Sequence, residues 1–498
     1  MNSGREPSAR TRPNLLVIMA DQLRHDWLGA TGTNGVSTPN IDALAARGRR
    51  FTQTCTNAAI CVPARTALAT GRSPEQLGSL GNDAVLGLDT PTHYQHLRDH
   101  GYHVGVVGKL DLAKSASYNG RRGDRPPVFS WGFTHPLEGE GKMHAGLFPT
   151  PQGPYGFWLQ EQGLYERFHV DYAQRFSGMR RRRQTGDRTI PLYAGDGLFR
   201  DSVLPTEAFE DHWLGQQAAS WLEHAGRDFP WYLFVSFVGP HDPFDPPTEW
   251  ADRFRDAVLP APIPAAADTA GGPASLQPWP MTSEQIATAR RQYTAAVALI
   301  DEQVGVILST VERLGIAGNT IVVLTADHGE MLGDHGVFQK SVAYESAMRV
   351  PLIVAGPGIE PGVSDALIEL ADLGPTLCEL AGLPAQADLD ARSFAALLDA
   401  AGEGSHRRVA VCSEAHYIAI RSARHKVIRH FDRAGLELSG EPDEVYDLIT
   451  DPTEQHNLDA EDPTVASAVR DELVALARTD GHVLDRLAAS GPPVALNV

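Results

Sequence analysis

The sequence predicts an α/β fold with a mostly parallel central sheet and a small C-terminal antiparallel subdomain. Three observations support this prediction: short apolar runs recur along the chain, helical segments lie between them, and strand-like pieces at hairpin spacing follow residue 400. Strands that alternate with helices are typical of a parallel sheet. The predicted organisation is a flexible N-terminus at 1–13, a main domain at 14–400 with a variable region at 112–206, and a C-terminal subdomain at 401–498.

Continuous apolar runs without alternation predict buried strands, because a strand covered on both faces needs no polar side. Such runs lie at 15–20, 104–107, 231–238, 321–324 and 352–354. The antiparallel part is predicted from shorter pieces at 409–412, 417–421, 426–428 and 444–448. Only a few residues separate most of these pieces, as expected for hairpins.

Helices are predicted where a Thr-Pro pair precedes apolar residues, since threonine is a good N-cap and proline suits the first helical position. Thr38-Pro39 and Thr90-Pro91 are such pairs. The longest helix is predicted at 283–314, where apolar side chains recur every three or four residues, and a final helix at 463–478.

The region 112–206 is rich in Gly, Pro and Arg and has weak periodicity, which predicts insertions and long loops. Its arginine run at 180–183 is interpreted as part of a solvated charged loop rather than as a phosphate-binding patch. Five aromatic residues of this region could line a pocket, but a core position is the preferred interpretation; they are Trp131, Phe133, Tyr155, Phe157 and Trp158.

The composition is that of a globular protein, with 42% hydrophobic and 21% charged residues in 498. These values exclude general disorder, a collagen and a coiled coil. The 43 basic and 62 acidic residues give a net charge of −19, and an acidic surface repels nucleic acid. No nucleic-acid partner is therefore expected, whereas a local basic pocket is still compatible with a small anionic substrate.

The four cysteines form neither a disulfide scaffold nor a zinc motif, since no pair has the C-x-x-C spacing. The N-terminal apolar run at 15–20 is shorter than a signal sequence or a membrane span requires. The sequence therefore predicts a cytoplasmic protein without a membrane segment.

Polar pairs follow three of the predicted strands, at the edge where parallel strands place a site. They are Asp21-Gln22, His241-Asp242 and Asp327-His328. Oxygen ligands together with an imidazole suit a divalent cation such as Ca²⁺, Mg²⁺ or Mn²⁺, which would also relieve the repulsion between buried carboxylates. Either acidic pair alone would be interpreted as a helix cap, but the two together favour a metal.

A cysteine stands at the start of a predicted Ala-rich helix, in Cys61-Val62-Pro63-Ala64-Arg65. A sulfur at a helix N-terminus is stabilised as an anion, and Arg65 lies one turn further along. From the residues alone, a reactive thiol and a buried structural cysteine are equally supported.

This motif, followed by Thr70-Gly71-Arg72, resembles the signature of the sulfatase family. Other segments agree in order, namely 14–22, 37–42, 325–329 with Lys340, and 446–458. The resemblance covers nearly the whole chain and is weakest at 112–206. It implies an alkaline-phosphatase-like α/β sandwich with a small C-terminal sheet, in which 14–400 is the catalytic domain.

The resemblance also implies the chemistry: hydrolysis of an organic sulfate monoester by a formylglycine residue, which a formylglycine-generating enzyme makes from Cys61. The hydrated aldehyde is the nucleophile and one divalent cation is the cofactor. The implied metal ligands are Asp21, Gln22, Cys61, Asp327 and His328. The implied catalytic residues are Cys61, Arg65, Lys109, Asp111, His241 and Lys340, and the implied substrate contacts are Asn82, Arg65, Lys109, His241 and Lys340.

Three residues resemble the choline sulfatase and phosphonate monoester hydrolase branch: Gln22 in place of a second Asp, His328 in place of Asn, and Asn82. The metal is then expected to be Ca²⁺ or Mn²⁺, and the alternative activity is hydrolysis of a phosphonate monoester or phosphodiester at the same site. A third interpretation is a non-catalytic member in which Cys61 remains a thiol. This branch often assembles into oligomers, and the sequence leaves the oligomeric state open.

One position departs from the family pattern, because Gly108-Lys109-Leu110-Asp111 stands where the family usually has Gly-Lys-x-His. Two roles are open for Asp111. It is a base if burial raises its pKa, or it forms an ion pair with Lys109 or Lys114.

Overall fold

The computed structural model describes residues 12–114, 118–187, 190–226, 228–265, 281–399, 404–431 and 442–489. The predicted flexible N-terminus lies almost entirely outside these residues. The strands are β1 Asn14–Asp21, β2 Gly48–Cys55, β3 His103–Lys109, β4 His135–Gly139, β5 Trp231–Pro240, β6 Thr320–Ala326, β7 Leu352–Ala355, β8 Gly362–Glu369, β9 Val409–Glu414, β10 Tyr417–Ser422, β11 His425–His430 and β12 Glu444–Asp447.

Helices of very different length connect these strands. They are α1 Pro39–Ala46, α2 Cys61–Thr70, α3 Pro74–Leu77, α4 His93–Asp99, α5 Pro126–Ser130, α6 Lys142–Leu147, α7 Pro154–Glu161, α8 Tyr165–Arg175, α9 Ser177–Thr185, α10 Glu210–His224, α11 Thr248–Asp252, α12 Ser283–Arg313, α13 Glu345–Met348, α14 Leu373–Leu380, α15 Leu458–Glu461, α16 Pro463–Thr479 and α17 Asp485–Ala489. The helix expected after Thr90-Pro91 begins at His93 instead, because Thr92 and Gln95 form the capping box that starts it.

The central sheet has eight strands in the order β4-β3-β5-β1-β6-β7-β2-β8. All neighbours are parallel except β7, which runs antiparallel to β6 and to β2. The predicted mostly parallel sheet is therefore confirmed. Strands β2, β4 and β8 were not predicted, since their residues are only partly buried and do not form apolar runs.

Side chains of β1 alternate between two hydrophobic cores, one on each face of the sheet. Leu16 and Ile18 belong to one core, and Leu15 and Val17 belong to the other. Helix α12 packs against the first core, with Thr282 and Gln285 forming its N-terminal capping box. It is also the one described helix whose length and apolarity would suit a membrane span, and 72% of its apolar window is buried in the protein.

The region 112–206 differs from the predicted long loops, because it contains β4 and the five helices α5 to α9. Buried aromatic side chains such as Tyr155, Phe168 and Tyr172 anchor it to the first core, and this packing stabilises helices that local periodicity did not indicate. The arginine run lies on helix α9, and not in a loop.

The four C-terminal strands form the predicted antiparallel sheet, in the order β12-β11-β10-β9. One face of it packs against α16, and the other shares a core with the main sheet through residues such as Cys55 and Met331. Buried ion pairs reinforce this contact, with both Arg421 and Lys426 3.0 Å from the carboxylate of Glu345.

Strands β5, β1 and β6 are adjacent and parallel, so their carboxyl ends meet at one edge of the sheet. Asp21 ends β1, His241 follows β5, and Asp327 follows β6. The fold thus collects at one edge the polar residues that the sequence places after separate strands.

Candidate active site

Four buried side chains form a cluster at this edge: Asp21, Cys61, Asp327 and His328. Each offers one ligand atom, and these atoms lie within 4.8 Å of one another. Every one of the four side chains is fully shielded from solvent. Two carboxylates, one imidazole and the side chain at position 61 fit the ligand set of a divalent cation.

The sheet register brings the two carboxylates together. Ala20 pairs with Ala326, so Asp21 and Asp327 follow at equivalent positions of β1 and β6. The backbone N–H groups of Gln22 and His328 donate to Oδ1 of Asp327 over 3.0 Å and 2.9 Å. Gln22 has φ of +69°, so the backbone turns sharply just after β1 and aims its amide at the neighbouring strand.

His328 presents one ring nitrogen to the cluster. Its Nδ1 donates to the carbonyl of Gly329 over 3.0 Å, which leaves Nε2 directed at Sγ of Cys61, 3.3 Å away. Burial lowers the pKa of His328, but the negative groups Asp327 and Cys61 outweigh it and raise the pKa to about 9. A neighbouring backbone carbonyl that fixes the tautomer is the usual support of a histidine ligand.

Arg65 binds the two carboxylates rather than facing open space. Its Nε donates to Asp327 over 2.7 Å and its Nη2 to Asp21 over 3.2 Å, while Nη1 donates to Ser236 Oγ and to the carbonyl of Lys109. All of its nitrogen atoms therefore have protein partners, and Arg65 is not among the residues that line the cavity described below.

Two lysines surround the sulfur of Cys61 with positive charge. Nζ of Lys109 contacts the carboxylate of Asp21 and lies 3.6 Å from Sγ. Burial and Asp21 raise the pKa of the Cys61 thiol, but Lys109, Lys340 and other cations outweigh them and hold it well below its usual value. Position 61 thus lies in a strongly electropositive environment at the start of α2.

His241 and Lys340 form a hydrogen-bonded pair at the edge of the cluster. Nδ1 of His241 donates to the carbonyl of Asp242 over 2.6 Å, and its Nε2 lies 2.6 Å from Nζ of Lys340. The same ammonium contacts Oε1 of Gln22. Only 12% of the His241 side chain is exposed, and it lines the cavity.

Asp111 forms ion pairs with two lysines. Its Oδ2 lies 3.2 Å from Nζ of Lys109 and 3.3 Å from Nζ of Lys114, and its φ is +54°. Burial raises the pKa of Asp111, but the two lysines outweigh it and hold the pKa below its ordinary range. Of the two predicted roles, the structure therefore contains the ion pair.

Gln22 and Asn82 also lie at the site. The Gln22 amide nitrogen donates to Asp242 over 3.3 Å and contacts Glu330, so its side chain is held by several polar groups. Oδ1 of Asn82 accepts from the backbone N–H of Val62 over 3.0 Å and so binds the first turn of α2.

A cavity of about 420 Å³ opens beside the cluster and is lined by Lys109, His241 and Lys340 among others. The region 112–206 supplies much of its wall, as expected for the variable part of the chain. The predicted core positions of Trp131, Phe133 and Tyr155 are confirmed.

Sequence reasoning missed several cavity residues, because neither spacing nor periodicity indicates which side chains of an insertion face a pocket. These residues are Glu140, Lys142, His144 and Tyr193, whereas Lys114 was considered only as a partner of Asp111 and Arg183 only as part of the arginine run. In the arginine run, Arg180, Arg181 and Arg183 are exposed and Arg182 is half-buried, with its Nε bonded to the carbonyl of Ile190. The last member, Arg183, also lines the cavity.

Comparison with known proteins agrees with this geometry. The family model described as Sulfatase matches residues 13–383, and a second, described as N-sulphoglucosamine sulphohydrolase, C-terminal, matches residues 333–479. A choline-sulfatase of Rhizobium meliloti is 28% identical over 91% of this chain and 83% of its own length. An arylsulfatase of Clostridium perfringens is 26% identical over 78% of this chain and 79% of its own length. The crystal structure of the phosphonate monoester hydrolase of Agrobacterium radiobacter superposes with a TM-score of 0.73, at 25% identity, over 94% of this chain and 96% of that one.

Proposed function

This chain belongs to the sulfatase family and is a sulfuric ester hydrolase, and we propose that it hydrolyses an organic sulfate monoester through a formylglycine at position 61. The observation that carries the proposal is the convergence at Cys61, where Asp21, Asp327, His328 and Lys109 surround one sulfur atom. A buried structural cysteine would need none of these polar neighbours.

The proposed cofactor is one divalent cation, Ca²⁺ or Mn²⁺, held by the predicted ligands Asp21, Gln22, Asp327, His328 and the side chain at position 61. When bound, it lowers the pKa of a coordinated hydroxyl and neutralises charge that develops on the sulfuryl oxygens. Arg65 bridges the two carboxylates and fixes their orientation toward the cation.

A formylglycine-generating enzyme is proposed to oxidise Cys61 to the aldehyde, which water then hydrates. A formylglycine at position 61 would supply the hydrated aldehyde as nucleophile: one hydroxyl would lose its proton to solvent and bond to the substrate sulfur, while the bond from sulfur to the leaving-group oxygen breaks and that oxygen takes up a proton. Loss of the second hydroxyl's proton to solvent would then break the carbon–oxygen bond to sulfate and restore the aldehyde. A thiolate would form a stable adduct instead, which is the chemical reason for the oxidation.

Lys109 and the His241–Lys340 pair have complementary roles in this reaction. Burial lowers the pKa of Lys109, but Asp111 and Asp21 outweigh it and raise the pKa well above its usual value, so the ammonium remains charged beside residue 61. It stabilises the sulfuryl oxygens as negative charge grows there. His241 and Lys340 hold, at their 2.6 Å contact, the proton that we propose is delivered to the leaving-group oxygen.

A second candidate function is hydrolysis of a phosphonate monoester or phosphodiester at the same site. The structural similarity to a phosphonate monoester hydrolase favours it. Sulfate monoesters, phosphonate monoesters and phosphodiesters are all tetrahedral monoanions, so the same set of cations suits each of them.

Two measurements test the proposal. Peptide mass spectrometry of protein from its native host should find residue 61 lighter than cysteine, as formylglycine; an unmodified peptide would instead favour the non-catalytic interpretation. Parallel assays of an aryl sulfate, choline sulfate and a phosphonate monoester should give the higher kcat/KM for a sulfate. A higher value for the phosphonate would establish the second candidate.

A further inference from the structure

Cationic side chains outnumber carboxylates in the lining of the cavity beside the active site, although the whole chain carries a net charge of −19. Its described lining includes five cationic side chains and three carboxylates. The cations are Lys109, Lys114, Lys142, Lys340 and Arg183, and the carboxylates are Asp111, Glu140 and Asp242. Among the described lining residues, the excess of cations is therefore opposite in sign to the excess of acids in the whole chain.

Most of these cations already have partners. Lys109 and Lys340 belong to the active site, and Nζ of Lys142 donates to Asp245 and to the carbonyl of Pro243, both over 3.0 Å. Lys114 shares Asp111 with Lys109. Arg183 is different, because it makes neither a hydrogen bond nor an ion pair with any residue that the structure describes.

Each carboxylate in the described lining of the cavity forms ion pairs or accepts hydrogen bonds within the protein. Asp111 lies between two lysines. Asp242 accepts hydrogen bonds from Tyr193 and from the Gln339 side chain. Glu140 accepts from the backbone N–H of Gly156 over 2.8 Å, at the start of α7. Each carboxylate in the described lining therefore already has a partner within the protein.

Part of the cavity lining is apolar. It includes Met143, Leu147, Phe176, Met179 and Leu192, all from the region 112–206. Met179 and Arg183 are four residues apart on α9, so the same face of this helix presents first an apolar side chain and then the guanidinium.

From this arrangement we infer that the leaving group of the substrate has an apolar or aromatic body that ends in an anionic group, such as a carboxylate or a second sulfate, bound by Arg183. The inference rests on the proposed sulfatase function and specifies its substrate class. The sulfate ester would lie at position 61, the body against the apolar side chains of the lining, and the distal anion at the guanidinium of Arg183. A leaving group with a quaternary ammonium would instead place its positive charge beside the unpaired guanidinium of Arg183, which would repel it.

Three synthetic substrates with the same reacting phenol test this inference. They are 4-substituted phenyl sulfates whose ethylene side chain ends in a carboxylate, a primary amide or a trimethylammonium group. Because two methylene groups separate the charge from the ring, the pKa of the phenol that leaves is nearly the same for all three compounds. For the wild-type enzyme, kcat/KM should be about three- to fivefold higher for the carboxylate than for the amide, and lowest for the ammonium compound.

The variant Arg183→Gln should remove the preference for the carboxylate over the amide. The control Arg181→Gln changes an exposed arginine of the same helix that does not line the cavity, and it should keep the wild-type ratio. Equal turnover of all three compounds by the wild type, or an unchanged ratio in Arg183→Gln, would overturn the inference while leaving the sulfatase function intact. Absence of turnover for all three, with formylglycine present, would count against the proposed function and the inference together.

Discussion

Sγ of Cys61 lies 3.3 Å from Nε2 of His328, although 267 positions separate the two residues in the chain. The contact joins the N-terminus of α2 to the residue pair that follows β6. Because each residue is held by its own element, the site is pre-organised by the packing of α2 on the sheet.

The variant Cys61→Ala should lose nearly all hydrolytic activity, by about 10⁴-fold or more in kcat, because it lacks the residue that we propose becomes the nucleophile. The measurement is turnover of an aryl sulfate with burst-phase analysis. Cys378→Ala is the control, since Cys378 is a buried cysteine of the second core and should affect stability rather than turnover. Retained activity in Cys61→Ala would exclude the covalent mechanism.

Removal of the proposed cation by a chelator should abolish activity, and Ca²⁺ or Mn²⁺ should restore it. Asp327→Asn removes one ligand charge and should weaken metal affinity by about 10- to 100-fold, measured by calorimetry on the chelated protein. Asp301→Asn changes a carboxylate that caps α1 through Ile41 and should leave metal affinity unchanged. An enzyme that remains fully active after complete metal removal would contradict the prediction.

Arg65→Lys should lower metal affinity and kcat together, by about tenfold or more, because one ammonium cannot bridge Asp21 and Asp327 as the guanidinium does. The matched control is Arg407→Lys. Arg407 is a buried arginine that forms ion pairs with Asp372 and Glu369, and these residues are far in sequence from those of the cluster. The control variant should lower the melting temperature but not metal affinity. Equal metal affinities in Arg65→Lys and wild type would show that the bridge does not position the ligands.

His241→Gln should reduce kcat/KM by about 100-fold for sulfates of weakly acidic phenols and much less for 4-nitrophenyl sulfate, since a good leaving group needs no proton. A plot of log kcat/KM against leaving-group pKa checks this expectation, and its slope should become steeper in the variant. A parallel shift of the whole line would assign His241 to substrate binding only.

Burial raises the pKa of Glu140 from 4.5 to about 7, so the folded protein keeps a proton that the unfolded chain releases. The contribution of this residue to the free energy of unfolding is therefore complete below pH 4.5 and is lost as the pH rises to 7, a difference on the order of 3 kcal/mol. Glu140→Gln should remove this part of the pH dependence. Melting temperatures between pH 4.5 and 8 measure it, and the exposed residue Glu166 supplies the control Glu166→Gln, which should behave as wild type.

Several features could be predicted from the sequence because their causes are local. The apolar run of β1, the periodicity of α12 and the four C-terminal strands depend on neighbouring residues, and the structure confirms them. The position of Asp21 and Asp327 after parallel strands was enough to predict that they meet, since parallel strands end at the same edge of a sheet.

Other features depend on contacts between distant segments. The antiparallel direction of β7 follows from its pairing with both β6 and β2, and the helices of 112–206 depend on their packing against a core built elsewhere in the chain. The local composition of these segments indicates neither the direction of β7 nor the helices of 112–206, because secondary-structure propensity is weak compared with tertiary burial.

The sequence by itself determined which residues are candidates for the site: a cysteine at a helix start, acids after parallel strands, and an α/β frame that joins them. Only the tertiary structure decided how they are used. It directs Arg65 to the two carboxylates, pairs Asp111 with two lysines, and turns Arg183 toward the cavity. The physical reason is that residue type and spacing set the charge and the element, whereas the partner of a long side chain depends on which segments of the folded chain pack beside it.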